Sequence, residues 1–273
     1  MIKALVVIAL AFLPTVSTAQ TSGTNGNMPF ETRLMVGWQQ QDNSHVAGIE
    51  IRLAPGWKTY WRAPGAGGIA PRFDWSGSSN LKAVSYVWPA PSVFETYGTR
   101  TLGYEGQLIL PVIMQPKDQN KPIEARLDMH FGVCSDICVP AQAAFGNRIT
   151  GKSEPNAVTI SGVLNQRAAT GDEAGLVNAK CRISPKSQDE FEFAARLEFR
   201  SPPAGAQILV VETGNEEIWV SETDTVIDGR IVRSAADLVN YGEGPLALAR
   251  DRLRLTLISR RGGAIDIRGC AAG

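Results

Sequence analysis

Neither sign of charge is in excess in this chain, since 27 Lys and Arg balance 27 Asp and Glu. The basic field that would draw nucleic acid or anionic lipid is therefore missing. No apolar run reaches the roughly 20 residues that cross a bilayer as a helix. The nearest approach, Ala4 to Leu13, follows Met1-Ile2-Lys3 and precedes Ser17-Thr18-Ala19. That order (positive start, short apolar stretch, small-residue cleavage site) is a signal peptide, which predicts export and a mature chain from about Gln20. The protein should not span a membrane once residues 1–19 are removed. Cysteine is scarce, with four in the chain, and a bacterial periplasm, where disulfides persist, is the most economical destination.

The alternation of strands with long helices that marks a thioredoxin-like βαβ fold is also missing. What is present is period-2 alternation broken by turn-formers. In Ala47 to Leu53 the odd positions are apolar and the even ones small or charged, the pattern of a half-buried strand. Ile123 to Phe131 repeats it, with Ile123, Ala125, Leu127, Met129 and Phe131 on one face and Glu124, Arg126, Asp128 and His130 on the other. Gln107 to Ile113 is a shorter run interrupted by Pro111, which belongs on an edge or at a bulge. Such short strands, with Ala54-Pro55-Gly56, Ala63-Pro64-Gly65 and Trp88-Pro89-Ala90-Pro91 between them, predict an all-β antiparallel sandwich over residues 20–150. Residues 151–180, marked by Pro155, read as a linker with a short helix. Residues 181–273 read as a second, smaller β-rich domain, with strands at Glu190–Arg200, Gln207–Glu212, Glu217–Val220, Arg230–Val232 and Leu253–Ser259.

Cys134 and Cys138 lie in His130-Phe131-Gly132-Val133-Cys134-Ser135-Asp136-Ile137-Cys138-Val139-Pro140, directly after a predicted strand. A ring closed over so few residues stabilises a fold by only about 2 kcal/mol through chain entropy. Stapling is thus a poor reason for it, and a reactive dithiol or a metal clip fits better. A tight turn must bring the two Cα atoms together, and Ser135-Asp136 supplies turn-forming residues. No Lys or Arg stands within several residues, so any stabilisation of a thiolate has to come from the tertiary environment. Cys181 and Cys270 bracket the second region, and a bridge between them would contribute about 4.6 kcal/mol on the same entropic formula. Four cysteines allow three connectivities. Pairing within each proposed domain favours Cys134–Cys138 and Cys181–Cys270, the second as a structural bridge.

Two other chemistries compete for these residues. Cu(I) could use the same thiols with His130 and Met129 or Met114, as a copper chaperone or sensor would. Against this, His130 is about 13 Å from Cys134 along an extended strand and Met129 points to the other face. Alternatively, Trp57, Trp61, Trp75 and Trp88, with Tyr60, Tyr86, Phe73 and Tyr97, could form a platform for carbohydrate or peptide, although aromatics of this density more often pack a sandwich core.

Several motifs occur together in one order: Gly56-Trp57-Lys58-Thr59-Tyr60-Trp61-Arg62-Ala63-Pro64-Gly65, Pro71-Arg72-Phe73-Asp74-Trp75-Ser76, Trp88-Pro89-Ala90-Pro91, Gly103-Tyr104, Leu110-Pro111-Val112 and the Cys134/Cys138 loop with Pro140. Over residues 30–150 the chain resembles the N-terminal periplasmic domain of DsbD-type thiol:disulfide interchange proteins, especially the ScsB-like branch linked to copper tolerance. The resemblance implies an immunoglobulin-like sandwich and a thiol-disulfide oxidoreductase activity that needs neither cofactor nor resident metal. Cys134 and Cys138 match the redox pair, which would pass electrons to thioredoxin-like periplasmic partners. Phe94-Glu95-Thr96-Tyr97-Gly98 falls where the family carries a loop that caps the disulfide, so Phe94, Glu95 and Tyr97, with Tyr60, are the expected site lining. The membrane electron-transfer domain of full-length members has no counterpart in this sequence, which implies a separate membrane donor.

Overall fold

The structure is a computed structural model that describes residues 28–96, 98–151, 154–246, 248–260 and 262–273. The proposed signal peptide and Tyr97 lie outside these residues. Ten strands form the first half: β1 (Phe30–Gln39), β2 (His45–Leu53), β3 (Lys58–Tyr60), β4 (Arg72–Asp74), β5 (Leu81–Tyr86), β6 (Ser92–Thr96), β7 (Thr99–Glu105), β8 (Gln107–Pro116), β9 (Ile123–Cys134) and β10 (Cys138–Ile149). They make two antiparallel sheets, β1-β2-β8-β5 and β10-β9-β3-β7-β6, with β4 added against β9. Leu34, Ile49, Leu110, Met114, Leu127, Phe131 and Val133 fill the space between the sheets. The alternation read in Ile123–Phe131 is the alternation of burial along β9.

Helix α1 (Ala157–Leu164) follows, then β11 (Ala169–Thr170), β12 (Leu176–Pro185), β13 (Glu190–Phe199), β14 (Ala206–Glu212), β15 (Ile218–Val220), β16 (Asp224–Asp228), β17 (Ile231–Asn240), β18 (Arg254–Ser259), β19 (Ala264–Arg268) and β20 (Ala271–Ala272). These strands build a second pair of sheets, β11-β19-β18-β14 and β15-β17-β13-β12-β20, with β16 on β17. Their own core contains Phe193, Leu197, Phe199, Leu209, Leu255 and Leu257. Cys181, wholly buried on β12, is bonded to Cys270 and so ties the C-terminal segment to that core. Ile208, Ile258 and Ala264 of this second half pack into the cluster of the first, so apolar contact is continuous between them.

Two strands differ from the sequence reading. β2 is buried at nearly every position, not on alternate ones, because α1 covers its outer face. Ile160 of α1 is fully buried with Met35, Val46 and Ile109, and Gly48 leaves room for it, since a Cβ there would lie 3.2 Å from Ile160 Cγ1. Glu50 shares the outer face and is itself buried; burial pushes its carboxyl up, but hydrogen bonds from Arg33, Arg52 and Gln107 prevail and hold it below its ordinary value. The other strand is β8, which carries Pro111 yet is paired on both sides. The Pro111 carbonyl accepts from Val87 N at 2.9 Å, so its ring nitrogen faces the same flank, just beyond the end of β5 at Tyr86, where no ladder bond is lost. In addition, Arg230–Val232 proves to be the beginning of a ten-residue strand, β17.

Truncating Ile160 to Ala should cost about 2–4 kcal/mol, since a large buried side chain is lost and Gly37 and Gly48 cannot refill the hole. Urea denaturation of the mature protein would measure this; a change below about 1 kcal/mol would mean that α1 is not docked as described.

Candidate redox site

β9 and β10 form a hairpin whose register sets Cys138 directly opposite Cys134, their Cα atoms 4.0 Å apart and their sulfurs bonded. Ser135, Asp136 and Ile137 make the turn, closed by a hydrogen bond from Ser135 N to Ile137 O at 3.3 Å. β3 lies on the other side of β9 with Lys58 opposite Cys134, and β7 continues the row with Glu105 opposite Lys58. Directly opposed residues in antiparallel strands point to one face. Cys138, Cys134, Lys58 and Glu105 therefore form a single row across four strands on the outer face of the sheet. The sequence showed no cation near the cysteines, and the register of a short neighbouring strand supplies one.

The two sulfurs are in different surroundings. Cys134 is 4% exposed, whereas Cys138 is exposed at the start of β10 and flanked by Ile137 at 72% and Val139 at 38%. Tyr60, two residues along β3 from Lys58, donates its hydroxyl to Cys138 Sγ at 2.9 Å. The Tyr60 side chain is buried at 2%, and burial pushes its phenol above the ordinary value, so it stays a proton donor across the neutral range. Two glycines hold the ring in place: a Cβ on Gly132 would sit 2.7 Å from Tyr60 Cδ2, and one on Gly68 would sit 2.9 Å from Cδ1. In the sequence, Gly68 is only part of a turn-rich run; its role depends on the loop after β3 folding back over the sheet.

The hairpin of β6 and β7 approaches from the far edge. Phe94 is half-buried, and the Lys58 ammonium lies 4.9 Å from its ring centroid. Glu95 is 67% exposed and stands 3.9 Å from Arg100. Arg100 is also gripped from the second half of the chain: its backbone N–H donates to Glu222 at 3.1 Å and its guanidinium lies 3.7 Å from the same carboxylate. A second link leaves the strand that carries Tyr60. Arg62 lies over the Trp61 ring at 3.9 Å and forms a two-pronged pair with Glu212, both bonds 3.0 Å, while also donating to Thr256. Of the expected site lining, the structure thus brings Tyr60 to the disulfide and Phe94 to the neighbouring lysine, and turns Glu95 to the face of the hairpin opposite Phe94, where it meets Arg100.

The other candidate ligands and binding residues are elsewhere. His130 is exposed, four residues along β9, while Met129 and Met114 are buried at 1% and 0% in the core. Among the described residues no group of three or more His, Cys, Asp or Glu is placed to hold a metal. The aromatics pack on one another rather than forming an open platform. Phe73 stacks on Tyr86 at 4.7 Å, Trp88 lies parallel to Tyr104 at 6.4 Å, and Trp75 donates to the Tyr86 hydroxyl at 2.9 Å. Trp61 is 1% exposed.

Residues 28–148 match the family model for the N-terminal region of thiol:disulfide interchange protein DsbD. This stretch is a DsbD-type N-terminal domain. The fold of the whole chain is similar to that of the N-terminal periplasmic domain of ScsB from Proteus mirabilis, with a TM-score of 0.67 and 17% identity, over 90% of this chain and 95% of that one. Both sandwiches, not the DsbD-type domain alone, are therefore part of the shared architecture. The N-terminal domain of Neisseria meningitidis DsbD in its reduced form also aligns, at 15% identity over 46% of this chain and 87% of that one, with a TM-score of 0.27. No curated protein sequence matches the chain.

In the DsbD-type domain, the Tyr60 hydroxyl should stabilise a Cys138 thiolate once the bridge is opened, because a hydrogen bond to the charged form lowers its pKa. Tyr60→Phe keeps the ring and removes the donor. It should raise the Cys138 thiol pKa by about one to two units, given that a hydrogen bond to a charged group is worth roughly 1.5–3 kcal/mol. Alkylation rates of the reduced protein against pH, mapped by mass spectrometry, would show it, and a superimposable profile would remove Tyr60 from the chemistry.

Proposed function

We propose that the protein is a periplasmic thiol-disulfide relay in which the Cys134–Cys138 pair accepts electrons from a separate membrane donor and delivers them to thioredoxin-like partners. The observation that carries this reading is the asymmetry of the bridge: an exposed Cys138 with a buried hydroxyl on its sulfur, bonded to a Cys134 that is almost closed to solvent. A disulfide kept only to brace the hairpin needs neither the exposure nor the donor.

The chemistry runs through Cys138. A thiolate of the donor attacks Cys138 Sγ, a mixed disulfide forms, and the electron pair of the broken bond leaves on Cys134. The donor's second thiol then resolves the mixed disulfide and releases Cys138 as a thiolate. In the opposite half-cycle, Cys138 attacks the disulfide of an acceptor and Cys134 resolves the product. The apolar side chains of Ile137 and Val139 beside the sulfur offer a partner contact area without charge selection. Phe94 and Glu95 belong to the hairpin that a partner must pass or displace. We assign the redox unit to residues 20–150 and a bracing role to the second sandwich, whose first strands, β11 and β12, already begin within the stretch 151–180 that the sequence reads as a linker, with residues 1–19 directing export.

Single serine variants separate the roles of the two sulfurs. Cys134→Ser should accumulate a mixed disulfide through Cys138 with a thioredoxin-like protein whose own resolving cysteine has been removed, and Cys138→Ser should accumulate none. Non-reducing electrophoresis with peptide mapping reads the result. The reverse outcome would make Cys134 the attacked sulfur, and absence of adducts from both variants would sink the relay.

A further inference from the structure

Attack at the exposed sulfur creates a demand that Tyr60 does not meet. The negative charge released when the bond breaks belongs to Cys134, which is 4% exposed. A thiolate withdrawn from water is costly unless a cation or a hydrogen-bond donor lies beside it. Tyr60 bonds the other sulfur.

The groups facing Cys134 come from four directions. β10 presents Cys138, the turn carries the exposed Asp136, β3 contributes Lys58 and, one row on, Tyr60, and Glu105 of β7 lies beyond Lys58. From the hairpin comes Phe94, in contact with the lysine ammonium, while Glu95 and Arg100 lie on the hairpin's other face. Among these, Lys58 is the cation in direct register with Cys134, and opposed side chains in an antiparallel pair have Cβ atoms about 5 Å apart. Its ammonium lies 4.9 Å from the Phe94 ring centroid, which keeps the charge on this face.

We propose that Lys58 is the counter-charge for the Cys134 thiolate, so that the two sulfurs are served by different groups of one strand: Tyr60 by hydrogen bond at Cys138 and Lys58 by charge at Cys134. The balance is simple. The incoming thiolate bonds to Cys138, the Cys134–Cys138 bond breaks, its electron pair stays on Cys134, and the lysine keeps its proton while compensating that charge. No oxidant or reductant beyond the attacking thiol is required.

This inference rests on the relay reading, but its test does not need a partner. Mature wild type, Lys58→Met, Lys58→Gln and Lys58→Arg would be reduced, and the Cys134 thiol titrated by pH-dependent alkylation with mass mapping. The rate at which dithiothreitol opens the oxidised bridge would be followed in parallel, and circular dichroism would establish that each variant is folded. The neutral variants should raise the Cys134 thiol pKa by about one unit and slow opening about tenfold, with Lys58→Arg restoring most of both. A structural role for Lys58 would instead change stability and leave the titration in place. Coincident Cys134 titrations for wild type and either folded neutral variant would overturn the proposal. If the shift is found but no mixed disulfide with a thioredoxin-like protein forms, the relay fails and the thiolate site stands.

Discussion

The pairing of β9 with β10 is the constraint from which the site follows. Side chains alternate strictly along a strand, so a slip of one residue between the two would place Cys134 and Cys138 on opposite faces and remove the bridge. The slip is opposed over the whole length of the hairpin. Leu127, Met129, Phe131 and Val133 on β9 face a closed core, and any shift would exchange them for Arg126, Asp128 and His130. The hydrophobic effect thus sets the relative position of the two sulfurs from a distance, and the turn between them needs only to be short. The same core also positions β3: Thr59 is buried at 1% and bonds the Gly132 carbonyl at 2.8 Å, which leaves Lys58 and Tyr60 on the outer face beside the cysteines.

Three consecutive residues divide the labour at the end of that strand. Tyr60 reaches the disulfide, Trp61 goes into the core, and Arg62 reaches across to Glu212 and Thr256 of the second sandwich. Burial lowers the tendency of Arg62 to hold its proton, and Glu212 offsets this only in part. Such an enclosed pair is weak evidence for net stability, because desolvation takes back much of the attraction, but it is demanding about geometry. Together with Glu222 on Arg100, it makes the second sandwich a frame for both the strand and the hairpin that flank the disulfide. A DsbD-type domain alone could form the bridge; the orientation of the Phe94 hairpin draws on residues more than a hundred positions later in the chain.

How much of this could be read in the sequence depended on the range of the interaction. The alternation in Ile123–Phe131 and the turn residues between the cysteines are local signals, and they locate β9 and the turn after it, while β10 itself carries no comparable alternation of strong apolar residues. β2 reads as half-buried in the sequence because its outer cover, Ile160, comes from a helix more than a hundred residues away. Pro111 was expected on an edge because sequence does not reveal where a neighbouring strand stops, and here β5 ends where the proline nitrogen emerges. Lys58 was in plain view within the Trp57–Arg62 motif, yet its relation to Cys134 is a register across strands 76 positions apart in sequence. Tyr60 could be named because it accompanies the motif, whereas the glycines that hold its ring could not.

The surroundings of the two sulfurs differ because their hairpin lies at the edge of its sheet. A partner has to approach one sulfur along the axis of the S–S bond, which demands open space at that sulfur. β10 is the last strand of its sheet, so Cys138 meets solvent; β9 is interior, so Cys134 meets β3. Crossing a single inter-strand step therefore passes from an accessible sulfur to an enclosed one. A flexible loop carrying both cysteines would lose that difference, because neither sulfur would keep a fixed strand beside it. A short loop is therefore required of the chain at this point: it keeps the bridge across one strand pair, with one sulfur open to solvent and the other packed against β3.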